Sequence, residues 1–139
     1  MGLVLLFVWA AHIGLVTVPG TAGAAILWRR GRATPKSSFW SIAASTAIVA
    51  LGLRIAYLVY GYRDIQRIGH FEAHVDLLFS KAVIATWCLG LAVVVVGLLL
   101  STRRLDAVAA GLCLSLAVQL PLAMFSSDVF TALGVELTY

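Results

Sequence analysis

Acidic residues are scarce in this chain: six Asp and Glu stand against ten Lys and Arg in 139 residues. Charged residues of both signs make up only 12% of it. A soluble domain of this length could not hide the 62% of its residues that are hydrophobic, because a small interior has too little volume for them. The two cysteines, Cys88 and Cys113, form no CxxC pair, which excludes a disulfide framework and a zinc knuckle. No phosphate loop, nucleophile elbow or HExxH occurs, so the catalytic classes those motifs mark are excluded. Internal repeats and low-complexity segments are also missing. The net charge of +4 does not mark a nucleic-acid binder, since the basic residues collect at the ends of apolar runs.

Long apolar runs are what the chain does have, and the mean hydropathy is +1.02. A hydrocarbon core about 30 Å thick needs about 20 apolar residues per helical span. Four stretches qualify, at residues 3–27, 39–60, 75–100 and 107–125. Barrel strands would be about ten residues long and alternate apolar with polar; "LAVVVVGLLL" does not alternate. The first run has no Lys or Arg before Arg29 and exceeds a signal-peptide core, so it is read as a retained span. Arg29, Arg30, Arg32 and Lys36 follow span one, and Arg103 and Arg104 follow span three. The positive-inside rule puts those loops in the cytoplasm. The expectation is one all-α domain: an antiparallel bundle of four transmembrane helices with both termini outside. Its partners are the lipid bilayer and either other membrane subunits or further copies of itself.

Within that bundle the spacing makes finer predictions. "GRATPKSS" holds the turn formers before span two, and residues 61–74 form the longest connection, long enough for a short interfacial helix. Gly20 with Ala24, and Gly52 with Ala56, make small-xxx-small pairs suited to helix contacts. Pro19 should kink span one, and Pro121 should kink or end span four. The tail "SSDVFTALGVELTY" is mildly amphipathic and is expected to lie along the outer surface.

Each span carries one polar residue that lipid would penalise: His12, Arg54, Lys81 and Gln119. At 1.5 Å per residue, His12 lies about 13 Å from the outer end of its span, and Arg54 and Lys81 about 9 Å. An ionisable group inside a membrane is a candidate functional residue. Arg54 and Lys81 also have stems long enough to snorkel to headgroups. His12 is either an interhelical hydrogen-bonding residue or a ligand, and Gln119 reads as interhelical glue.

The stretch "RIGHFEAHVDLLFSK" raises a metal question. On a helix, His70 and His74 share a face and Glu72 falls opposite; in an extended segment His70, Glu72, His74 and Asp76 align. The phase conflict on a helix favours a polar rim, leaving His70 and His74 as weak metal candidates. His74, Lys81 and Cys88, spaced by seven, are expected on one inward stripe of helix three.

"WAAHIG" around His12 and "LLFSKAVIATWCLGLAVVVVGLLLSTRR" around Lys81 resemble the CopD and HemJ group of small bacterial membrane proteins. CopD-type proteins are linked to copper handling, and HemJ-type proteins are four-helix, haem-binding protoporphyrinogen oxidases. The resemblance implies a multi-pass protein of the bacterial inner membrane and haem b as cofactor. It gives His12 and Lys81 site roles. A haem- or metal-linked redox protein would use His12 as ligand and Arg54 and Lys81 against ligand carboxylates. The rival reading is a non-catalytic subunit of a larger membrane complex, respiratory or other. A small transporter ranks last, for want of an intramembrane acid and repeat symmetry.

Overall fold

The computed structural model describes residues 2–30 and 36–139, with side chains from Ser38 onward in the second stretch. The remainder of the "GRATPKSS" turn lies outside the described residues. The chain is mostly helical, and four of its helical stretches are long and apolar enough to cross a membrane: Gly2–Arg30, Ser38–Tyr62, His70–Leu100 and Arg103–Met124.

The first stretch is α1 (Gly2–His12), a π-helical turn (Ile13–Thr17) and α2 (Val18–Arg30). In the turn the Val18 N–H reaches back five residues to the Ile13 carbonyl. The disturbance expected at Pro19 takes this form: a residue with no N–H follows a widened turn. Span two is α3 (Lys36–Tyr62), unbroken. Span three is α4 (His70–Phe79) and α5 (Lys81–Leu100), interrupted at Ser80. Ser80 adopts ψ 155°, and its hydroxyl accepts the Val83 N–H at 3.3 Å. It therefore serves as the N-cap of a new helix.

Ser101 turns the chain in the left-handed region at φ 53°, and α6 (Arg103–Ala117) begins two residues later. Span four is interrupted after α6, because Pro121 offers no N–H to the Ala117 carbonyl; α7 (Gln119–Met124) starts afresh. The short helix α8 (Ser126–Ala132) ends in a Schellman motif. Gly134 at φ 75° donates to the Thr131 carbonyl at 3.0 Å, and Val135 to the Phe130 carbonyl at 2.9 Å.

The all-α expectation needs a small correction. β1 (Arg67–Gly69) and β2 (Glu136–Thr138) pair in parallel, Arg67 opposite Glu136 and Gly69 opposite Thr138. The tail thus returns to the loop after α3, helped by an Arg67–Glu136 ion pair at 3.0 Å. The connection expected over 61–74 is shorter than that, since α3 runs to Tyr62 and α4 opens at His70.

α6 is the central helix and packs on α2, α3 and α5. Its small residues allow this: Ala107, Ala109, Ala110 and Gly111 are buried along its length. Gly20 of α2 approaches the Cys113 carbonyl, where an added Cβ would stand 3.1 Å away. Gly20 and Ala24 are buried, whereas Gly52 and Ala56 are exposed on α3. Only the first small-residue pair therefore serves the bundle's interior. α3 and α5 touch only briefly and leave a groove between them.

A second core, built on Tyr62, Leu77, Leu78, Ala123, Phe130 and Val135, joins α4, α7 and α8 into a cap at the end of the bundle that carries the two strands. We call this the cap end. The opposite, basic end is tied by Arg30 and the buried Asp106, 3.7 Å apart.

Candidate functional site

Measured along their helices from Arg30, Lys36, Leu100 and Arg103, the residues His12, Arg54, Lys81 and Gln119 all lie roughly 24–29 Å from the basic end. They form one layer, just beneath the cap. Within the layer their surroundings differ sharply.

Arg54 is only 8% exposed. Its Nη2 donates to the Ser115 carbonyl of α6, while Nε and Nη1 have no partner among the described residues. Gly111 abuts Ala43 and Thr46, which fixes the relative height of α3 and α6. From there the Arg54 backbone stands roughly 6–10 Å nearer the cap end than Ser115. The guanidinium therefore reaches towards the middle of the bundle, not outwards as a snorkelling side chain would. Asp76, at the outer end of the stretch that carries Lys81, is not its partner: Tyr62 donates its hydroxyl to Asp76 Oδ2, and among the described residues Arg54 has no carboxylate within ion-pair range.

Beside Arg54 a cavity of about 270 Å³ opens where span three is interrupted, lined by Arg54, Asp76, Leu77, Ser80 and Gln119 together with apolar residues of α3, α7 and α8. A helix break frees backbone carbonyls that must find other donors. Gln119 supplies one by donating its Nε2–H to the Leu77 carbonyl, and its Oε1 is left without a partner. The residue read as interhelical glue thus joins span four to the break in span three.

Lys81 is exposed. The inward stripe expected for His74, Lys81 and Cys88 does not form: His74 is buried, and Lys81 and Cys88 face outwards. The seven-residue spacing fails because Ser80 leaves the helical region and resets the phase between α4 and α5. Lys81 and Arg54 nevertheless border the same groove between α3 and α5, about 940 Å³ in volume.

His12 is completely buried. Its Nδ1 is hydrogen-bonded with Thr17 Oγ1 at 3.3 Å, and the Phe79 ring meets it edge-on at 5.5 Å. Nε2 has no partner. His12 is not in the lining of the groove that Lys81 borders, nor of the cavity beside Arg54.

"HFEAHVD" is helical, and it brings the His70 and His74 rings to 4.4 Å. His74 Nδ1–H donates to the His70 carbonyl at 2.9 Å, and Ser126 Oγ lies 3.2 Å from Nε2. A carbonyl only accepts, so Nδ1 carries the proton and Nε2 accepts from the serine. Both nitrogens are occupied, Nδ1 within α4 and Nε2 in pinning α4 to α8. His70 stacks on Tyr139 at 4.9 Å. Among the described residues no three His, Cys, Asp or Glu side chains are grouped to hold a metal ion.

Sequence reasoning missed Ser115, Tyr62 and Ser80. Ser115 acts through its backbone carbonyl and Tyr62 through a contact between helices, so neither left a local signal. Ser80 did leave one: a serine directly before a lysine and a long apolar run is a helix-start pattern.

No protein-family model, curated protein or solved structure matches this chain.

Proposed function

We propose that this chain is a small multi-pass protein of a bacterial inner membrane that binds an anionic group at Arg54, in the half of the bilayer facing away from the cytoplasm. One observation carries the reading. A guanidinium that is 8% exposed keeps two donor nitrogens unpaired beside a cavity at an interrupted helix. An unpaired buried charge is costly, and a ligand anion is the partner that would offset the cost. The orientation rests on Arg29, Arg30, Arg103 and Arg104 at the other end, which the positive-inside rule assigns to the cytoplasm.

Thermal unfolding of the purified protein tests the anion reading, with phosphate compared against chloride at equal ionic strength. Phosphate at ten times its dissociation constant should stabilise the fold by about 1.4 kcal/mol. Arg54→Gln should remove that increment. An equal response in both proteins would refute the reading, because general salt exclusion would then explain it.

The haem reading derived from the resemblance has less support. A haem needs space at a ligating nitrogen, and His12 is completely buried against Phe79 and lines neither the groove nor the cavity beside Arg54. The residues do not fit that group as arranged, so no redox step is derived. A Soret band that shifts on reduction would reverse this judgement. The subunit reading has one feature in its favour: Gly52 and Ala56 are exposed, and an added Cβ at Gly52 would meet nothing within 4 Å. Small residues are what neighbouring membrane helices pack through. Co-purification of a stoichiometric membrane partner, lost on Gly52→Leu, tests it.

A further inference from the structure

We propose that the groove between α3 and α5 holds one anionic phospholipid, its headgroup oxygens on Arg54 and Lys81 and an acyl chain running towards the basic end. The proposal rests on the anion reading of Arg54 and names the class of ligand.

Three observations point to a lipid. The first is charge. Arg54 and Lys81 border the groove, Lys81 pairs with no described residue, and two Arg54 nitrogens lack partners. Among the described residues, the only charged ones in the groove lining are these two cations. A phospholipid offers acceptors at two depths, phosphate oxygens and the ester carbonyls beneath them. That matches an exposed ammonium and a guanidinium that reaches inwards.

The second is shape. The walls below the cations are apolar, with Val49 and Leu53 on α3 and Leu89 and Val93 on α5, and Val108 and Leu112 of α6 contribute the floor. From Lys81 to Val93 the groove extends about 18 Å along α5. One leaflet of a hydrocarbon core is about 15 Å deep. The groove is therefore as long as an acyl chain's own leaflet, while a free soluble anion would leave it unfilled.

The third is level. α5 is 20 residues long, about 30 Å, so it can cross the hydrocarbon core alone and set Lys81 at its boundary. Tyr57, in the groove, and Tyr60 are 49% and 67% exposed on α3 nearby. Exposed tyrosine is typical of headgroup depth.

The test uses the full chain, delipidated in detergent and titrated with phosphatidylglycerol or with phosphatidylcholine of the same chains, occupancy being read by native mass spectrometry. A third titration uses glycerophosphoglycerol, the headgroup without chains. One phosphatidylglycerol should bind in clear preference to phosphatidylcholine. Lys81→Gln should weaken it about fivefold, and removal of both cations about 30-fold. Ala85→Phe, exposed on α5 and lining the groove, should weaken the lipid while leaving the headgroup alone unaffected. Lys81→Gln and Ala85→Phe alter exposed positions, so they carry the test even if Arg54→Gln fails to fold. Equal binding of the two lipids, or no effect of either exposed substitution, overturns the lipid proposal. Arg54-dependent binding of glycerophosphoglycerol with no gain from acyl chains would leave the anion reading standing and overturn the lipid alone. If neither probe binds, both fall.

Discussion

Gly111 is the position where the bundle leaves least room. A Cβ built there would overlap the Ala43 carbonyl oxygen outright and stand 2.7 Å from Thr46 Cβ and 3.2 Å from the Ala43 carbonyl carbon. None of these is the free end of a flexible side chain, so α3 itself would have to retreat. Carbon atoms rest at about 3.5–4.0 Å, so the retreat is about 1 Å. Overpacking of this kind costs roughly 1–3 kcal/mol. The gain in helix propensity, up to about 1 kcal/mol, offsets part of this, so a net loss of roughly 1–2 kcal/mol is expected. The matched control is Gly52→Ala, whose new methyl group meets nothing within 4 Å. It should be neutral or gain up to about 1 kcal/mol from helix propensity. Unfolding of both variants in mixed micelles, followed by tryptophan fluorescence, gives the comparison. Because Arg54 bonds to Ser115, one turn beyond Gly111 on α6, the retreat should also weaken anion binding. If Gly111→Ala matches Gly52→Ala in stability, α3 and α6 do not meet as described, and the inward reach of Arg54 loses its support.

Two further outcomes are expected. Gln119→Leu takes the donor from the Leu77 carbonyl but also removes an unpaired Oε1, so the net loss should be about 1 kcal/mol, with faster amide exchange around Ser80; unchanged exchange would show that the break does not depend on Gln119. Single-cysteine labelling in intact cells should find Lys36→Cys shielded from an impermeant reagent and Asp64→Cys, next to the cap end, accessible, as the basic residues at the other end require; the reverse pattern would invert the orientation proposed for the site.

The sequence determined that the chain is helical and apolar enough for four membrane crossings, because length and hydropathy are properties of a segment by itself. It also marked the exceptional residues, since a polar side chain in an apolar run is visible without coordinates. Pro19 and Pro121 announced their disturbances through the N–H they lack. Where each polar residue points was decided elsewhere. The phase of Lys81 depended on Ser80 leaving the helical region, which a heptad count carries straight across. Arg54 and Asp76 carry opposite charges, yet each has another partner, the Ser115 carbonyl and the Tyr62 hydroxyl. Gly111 lets α3 lie against α6, the helix whose Ser115 carbonyl Arg54 meets. Helix content is fixed by bonds within a few residues, so the sequence shows it. Which polar groups meet is fixed by contacts between segments far apart in the chain, and only their packing could decide it.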